Sequence, residues 1–330
     1  MIWLVATFPV LSHSQISNHT FKHLTPNEGL TQVVVSCVLT DSRGFVWMTG
    51  LDGVNRFDGI RCLSNEQIAG GLSNFGATGT IIEDADGNIW IGTTDGIIQF
   101  NYTANKFFRH TIKLANGLRS NLFSILTYDK SGNILIGTSV RQLVLYNYKT
   151  GTWFQFPVPS LPNDSGLGSF SFLHGENLYN DVHLVYKEEY TTIKVYTLTN
   201  ITDHKPVWRL RTIPFFQYIP GTAFMPDPET LFFSSKGFMY KFNLATGTVT
   251  KSTDVLFGED DRLAYSMDGR GYMWVSSNNG ITVLDTTQLL PVDFIQYNPD
   301  AAGNLSSKYF GATVDKNGIV WITVWGKGID

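Results

Sequence analysis

Short runs of alternating apolar and polar residues, each closed by Gly or Asp, recur along the chain; Asn88-Ile89-Trp90-Ile91-Gly92 is typical. Period-two alternation marks half-buried β-strands, and no stretch sustains the 3.6-residue period of a helix. The pattern therefore predicts antiparallel β-structure throughout. An inner strand is expected before an Asp turn (33–40, 79–83, 124–128), a second carries Trp, a third follows Gly, and a fourth falls at 106–109 or 152–155.

These units repeat. A turn Asp-x-x-Gly, a bulky residue with Trp, a small-residue loop and a further strand appear as DSRGFVWMTGLDGVNRF from Asp41 and DADGNIWIGTTDGIIQF from Asp84. DKSGNILIGTSVRQLVLY from Asp129, DGRGYMWVSSNNGITVL from Asp268 and DKNGIVWITVWGKGI from Asp315 complete five clear copies. Trp47 to Trp90 spans 43 positions, Trp90 to Leu135 spans 45, and Trp274 to Trp321 spans 47. That is the period of a four-stranded blade. Phe232 and His183 take the Trp position in two weaker copies that fill the remaining gap. The expected fold is all-β: a seven-bladed β-propeller of four-stranded antiparallel blades, near 31–62, 75–110, 121–157, 168–215, 222–253, 262–297 and 309–330.

A propeller must join its first and last blades, because an unpaired sheet edge invites aggregation. Residues 20–24 precede Gly29-Leu30 as Phe107 to His110 precede Gly117-Leu118, so they are expected to serve as an outer strand of the last blade. The chain stops at Asp330 within that blade's third strand, and the sequence is expected to be a fragment of a longer product.

Residue chemistry narrows the function. The formal net charge is −4 and no Lys/Arg-rich run occurs, which excludes the electrostatic footprint of a nucleic-acid or anionic-membrane binder. Asp84-x-Asp86-Gly87-Asn88 looks like a calcium loop, but its twelfth position is Asp95 rather than a bidentate Glu. The same turn recurs without the second acid, so its shared feature is turn geometry, with Asp capping amides and Gly supplying positive φ. Trp47, Trp90, Trp274 and Trp321 recur at one blade position and are expected in the core between blades. No cysteine stands with the seven histidines at metal-ligand spacing, and no nucleophile elbow, phosphate loop or dinucleotide fingerprint occurs. No metal, no cofactor and no catalytic residue is therefore expected, and the chain is read as a non-enzyme.

Cys37 and Cys62 are expected to be small buried thiols. Residues 1–14 begin with the apolar run MIWLVATFPVLS and end in Ser12-His13-Ser14, the pattern of a secretory signal peptide. Export follows, with the propeller at 15–330.

The segments from Gly29 to Gly59 and from Gly71 to Asn101 closely resemble the two-component regulator propeller repeat, whose pattern runs Gly-Leu-Ser, inner strand, Asp-x-x-Gly-x-Ile-Trp-Ile-Gly-Thr, Gly-Leu, Phe-Asp. The resemblance implies a periplasmic sensor region of a hybrid two-component system, with a parent protein anchored in the inner membrane. It implies an oligosaccharide ligand, a histidine kinase in C-terminal domains missing from this chain, and a homodimer in the longer protein. No kinase motif lies in this sequence. Loops after each second strand fall on one face of such a fold, and Asp52, Asp95, Arg141, Glu188, Tyr190, Lys236, Asn278, Trp325 and Lys327 are the candidate ligand-binding residues there. Polar groups with an aromatic platform suit a sugar. A protein-interaction scaffold and, behind it, a propeller lyase or glycosidase are the alternatives.

Overall fold

The computed structural model describes residues 23–68, 72, 75–76, 78–115, 123–129, 131–139, 142–157, 170–172, 182–188, 192–199, 207–214, 223–227, 229–259, 261, 263–296, 309–315, 317–324, 326 and 328–329. Blade one comprises β1 (Val35–Thr40), β2 (Val46–Gly50), β3 (Gly53–Phe57) and β4 (Cys62–Ser64). Blade two has β5 (Thr78–Glu83), β6 (Ile89–Thr93), β7 (Gly96–Asn101) and β8 (Lys106–His110). Blade three has β9 (Phe123–Tyr128), β10 (Asn133–Thr138), β11 (Gln142–Asn147) and β12 (Thr152–Pro157). Blade four has β13 (Phe170–Phe172), β14 (Val182–Glu188), β15 (Thr192–Thr199) and β16 (Val207–Pro214). Blade five has β17 (Ala223–Asp227), β18 (Thr230–Ser235), β19 (Phe238–Asn243) and β20 (Val249–Lys251). Blade six has β21 (Ala264–Met267), β22 (Tyr272–Ser277), β23 (Gly280–Asp285) and β24 (Pro291–Gln296). Blade seven has β25 (Tyr309–Val314), β26 (Val320–Val324) and β27 (Gly328–Ile329).

Within each of these seven sheets the strands pair antiparallel in chain order. The inner strands meet around a ring, with β1 against both β5 and β25, and β21 against β25. Leu24 closes it. Its N–H donates to the Ile329 carbonyl at 2.8 Å and its carbonyl accepts from Ile329 at 3.2 Å, so the N-terminal segment takes the outer place beside β27.

A single blade is a sheet with two apolar faces, and only stacking on a neighbour removes them from water. Trp47 of blade one is fully buried among Ile89, Ile98, Phe100 and Phe107 of blade two. Trp90 enters blade three beside Ile125, Ile134 and Tyr146, while Phe232 of blade five meets Met273 and Leu284 of blade six. Trp274 packs on Ala312, Ile322 and Val324 of blade seven, and Trp321 on blade one, 6.5 Å from Phe57 between ring centroids. The repeat position thus fills the seam toward the following blade.

The expected alternation holds only at the periphery. β2 and β6 are buried at every residue, whereas the outer strand β8 mixes exposed, half-buried and buried positions and β24 alternates between exposed and half-buried ones over most of its length. Strands sandwiched between two blades have no solvent face, so even Thr49 and Thr93 within them are buried.

The Asp turn is a capping device. Asp84 Oδ1 accepts from the N–H groups of Asp86 and Asn88 at 2.9 and 2.8 Å, and Oδ2 accepts from Trp90 Nε1 at 2.7 Å. Asp41 with Trp47 (2.9 Å) and Asp315 with Trp321 (3.2 Å) repeat the arrangement. At Asp129, where Leu135 replaces Trp, Asn133 Nδ2 takes the second oxygen at 2.8 Å. One carboxylate therefore fixes both the turn and the seam-filling indole.

Candidate functional site

In an up-and-down blade, the turn between the second and third strands and the linker leaving the fourth strand lie at the same end. Asp52, Asp95, Lys236 and Asn278 occupy that turn in blades one, two, five and six, and all four are exposed. The turns are rigid. Thr93 Oγ1 donates to the Gly96 carbonyl at 3.0 Å and accepts from the Asp95 N–H at 3.0 Å, and Ser277 brackets Gly280 and Asn279 in the same way. Lys236 sits at φ 49°, a left-handed corner that the following Gly237 continues at φ 77°.

Each candidate has its own surroundings. Asp95 pairs with Arg109 Nη1 at 3.4 Å, and Asn278 Nδ2 donates to Asp261 Oδ1 at 2.6 Å. No hydrogen bond or ion pair joins two of these four. Glu188 was expected in a loop, but it is the last residue of β14, paired with Thr192, because the ladder of blade four runs longer than in its neighbours. Arg141, Tyr190, Trp325 and Lys327 lie outside the described residues.

Asp52 lines a cleft. The cleft has a volume of about 370 Å³ and lies between blades one and two, where Leu51, Asp52, Asn65, Glu66, Phe75 and Thr31 form much of its wall. Behind the lining residues lies a hydrogen-bonded cradle. Gln32 accepts from the Asp52 N–H at 2.8 Å and donates to the Gly53 carbonyl at 3.2 Å. Thr78 Oγ1 accepts from the Gly50 N–H at 2.7 Å, and Thr31 Oγ1 donates to Asn55 Oδ1 at 2.8 Å. Gly53, at φ 114°, leaves room for Asn65: a Cβ there would stand 2.6 Å from Asn65 Oδ1. Ile68 and Phe75, both buried, anchor the linker in the core.

The residues that sequence reasoning missed, Thr31, Asn65 and Glu66, belong to linkers rather than to the second-to-third-strand turns. The signal was available: four strands bring the chain back to the end from which it set out.

The thiols of Cys37 and Cys62 are both free, and burial pushes each up to about 11. No helix among the described residues is long and apolar enough to cross a membrane.

Residues 72–95 match the family described as the two component regulator propeller. The chain is a β-propeller carrying that repeat. The match spans the inner strand, the Asp84 turn and the Trp90 strand of blade two, the parts whose geometry is described above. No curated protein matches the sequence. Among solved structures, the extracellular domain of a hybrid two component system from B. thetaiotaomicron is similar at TM-score 0.64 and 19% identity, over 93% of this chain and 41% of that one. The extracellular domain of a one component system from the same organism gives TM-score 0.62 and 18% identity, over 94% and 39%. A streptogramin B lyase gives TM-score 0.63 and 16% identity, over 90% and 92%. The chain thus spans about two fifths of the two extracellular domains and most of the lyase, and at these identities the likeness is one of fold.

Proposed function

We propose that this propeller is the ligand-sensing module of an exported hybrid two-component system. It recognises an oligosaccharide in the periplasm and signals to a kinase lying outside this sequence. The observation that carries the reading is the two component regulator repeat at 72–95, together with the likeness to extracellular domains of signalling proteins. The fold suits the task because stacked blades fix the frame while the turns on one face vary freely in charge, from Asp52 and Asp95 to Lys236. Residues 1–14 act as the export signal in this reading, and a homodimer of the longer protein carries the signal inward.

A ligand that binds only the folded state raises the melting temperature. The reading expects at least one oligosaccharide from a panel of plant, fungal and animal glycans to raise that of the 330-residue chain in proportion to its concentration. A second reading, a single-propeller lyase, is favoured by the 92% coverage of streptogramin B lyase. Turnover of streptogramin B by the pure chain, with no glycan response, would replace the first reading by the second.

A further inference from the structure

We propose that the cleft between blades one and two is a subsite for neutral saccharide units, which rests on the sensing reading above. Its volume of about 370 Å³ falls at the small end of ligand sites, large enough for one or two sugar rings. Leu51 is 53% exposed at its edge, an apolar surface beside the polar groups of the wall that suits the C–H face of a pyranose. Asp52 and Glu66 supply carboxylates that accept from sugar hydroxyls, the stronger, charge-assisted form of hydrogen bond.

The cleft is prepared in advance. The Gly50–Gly53 turn carrying Leu51 and Asp52 is tied from below by Gln32 and Thr78, both buried, so little ordering remains to be done when a ligand enters. Among the described residues, no Lys or Arg lines the wall. An unpaired uronate or sulfate would face two carboxylates without a counter-charge, so the same groups that hold hydroxyls reject polyanionic glycans.

The test is titration calorimetry of the 330-residue chain with neutral hexasaccharides of glucose, xylose and mannose, and with oligogalacturonate and a heparin-derived hexasaccharide. The chain should bind one of the neutral compounds and neither polyanion. Asp52→Asn combined with Glu66→Gln should weaken that binding roughly tenfold or more, the loss expected for charge-assisted hydrogen bonds. Glu229→Gln, on the opposite face, should not weaken it, and unchanged melting temperatures would show that both variants fold. Neutral binding that survives the double substitution, or preferential binding of a polyanion, overturns the cleft assignment and leaves the sensing reading standing. Failure of every saccharide to bind overturns both.

Discussion

The seams between blades one and two and between blades six and seven start from the same turn and reach different ends. Arg43 and Arg270 hold the same position, third in Asp-x-Arg-Gly. Arg43 reaches forward: Nη1 donates to the Gly87 carbonyl at 2.9 Å, stands 3.6 Å from Glu83, and its guanidinium lies 3.8 Å from the Tyr102 ring centroid. Asp41 accepts from Trp47 and from the Tyr102 hydroxyl. Arg270 folds back instead, with Nε and Nη2 at 3.0 and 2.8 Å from Asp268 Oδ2. Trp274 Nε1 is then buried without a partner. The cause lies one blade further on, because the residue before the next Asp turn is Glu83 in blade two and Val314 in blade seven. Without a carboxylate to reach for, Arg270 takes the nearest one.

A second contrast runs parallel. Thr49 Oγ1, two residues after Trp47, donates across the seam to the Gly79 carbonyl at 2.8 Å, whereas Ser276 Oγ, two residues after Trp274, is buried and unpartnered. Each buried polar atom left unpaired costs about 1–3 kcal/mol. Closely similar turns therefore give one seam in which the indole N–H and the hydroxyl beyond it are both hydrogen-bonded, and one in which neither is. Burial alone would raise the Asp268 carboxyl, but the Tyr272 N–H and the Arg270 side chain and N–H outweigh it and hold the group below its ordinary value.

The sharpest way to break this comparison is to remove the indole N–H from both seams. Trp47→Phe discards a hydrogen bond to a carboxylate, whereas Trp274→Phe discards a donor that has no acceptor. Unfolding by denaturant should show Trp47→Phe losing about 1.5–3 kcal/mol more than Trp274→Phe. Equal losses would mean that ring packing, and not the Asp partner, decides what the Trp position is worth.

A smaller effect tests why the seams differ. Val314→Glu restores in blade seven the carboxylate that Glu83 supplies in blade two, and should draw Arg270 forward. A double-mutant cycle of Val314→Glu with Arg270→Ser should give a favourable coupling of about 0.5–1 kcal/mol, the size of a partly exposed pair. Zero coupling would show that the fate of Arg270 is set within its own turn.

The same contrast explains what could be read in advance. The Asp turn, the Trp position and the blade period are local, each carried by a dozen residues, so they stood out in five copies. The behaviour of Arg270 depends on residue 314, and that pairing is invisible until the blades are stacked. The cleft was half legible. Asp52 sits in a turn recognisable from the repeat, but Asn65 and Glu66 follow β4 in a polar linker that looks like any other loop. Glu188 was misplaced because blade four departs from the repeat spacing, and a longer ladder absorbed the expected turn residue.

The seam between blades two and three offers the finest test, because a histidine sits in it. His110 Nδ1 lies 2.9 Å from the Tyr146 hydroxyl, Nε2 lies 3.4 Å from Gln99 Oε1, and the ring stands 5.0 Å from Trp90 between centroids. Neutral imidazole satisfies both contacts, accepting from Tyr146 and donating to Gln99. Burial lowers the His110 pKa from its ordinary 6.5. A base depressed by folding binds protons more readily in the unfolded chain, so its contribution is complete above pH 6.5 and declines as the pH falls toward the folded value. Stability of the natural chain should fall with acid across that window more steeply than that of His110→Gln. Identical slopes would place the acid sensitivity of the ring of blades elsewhere than in this seam.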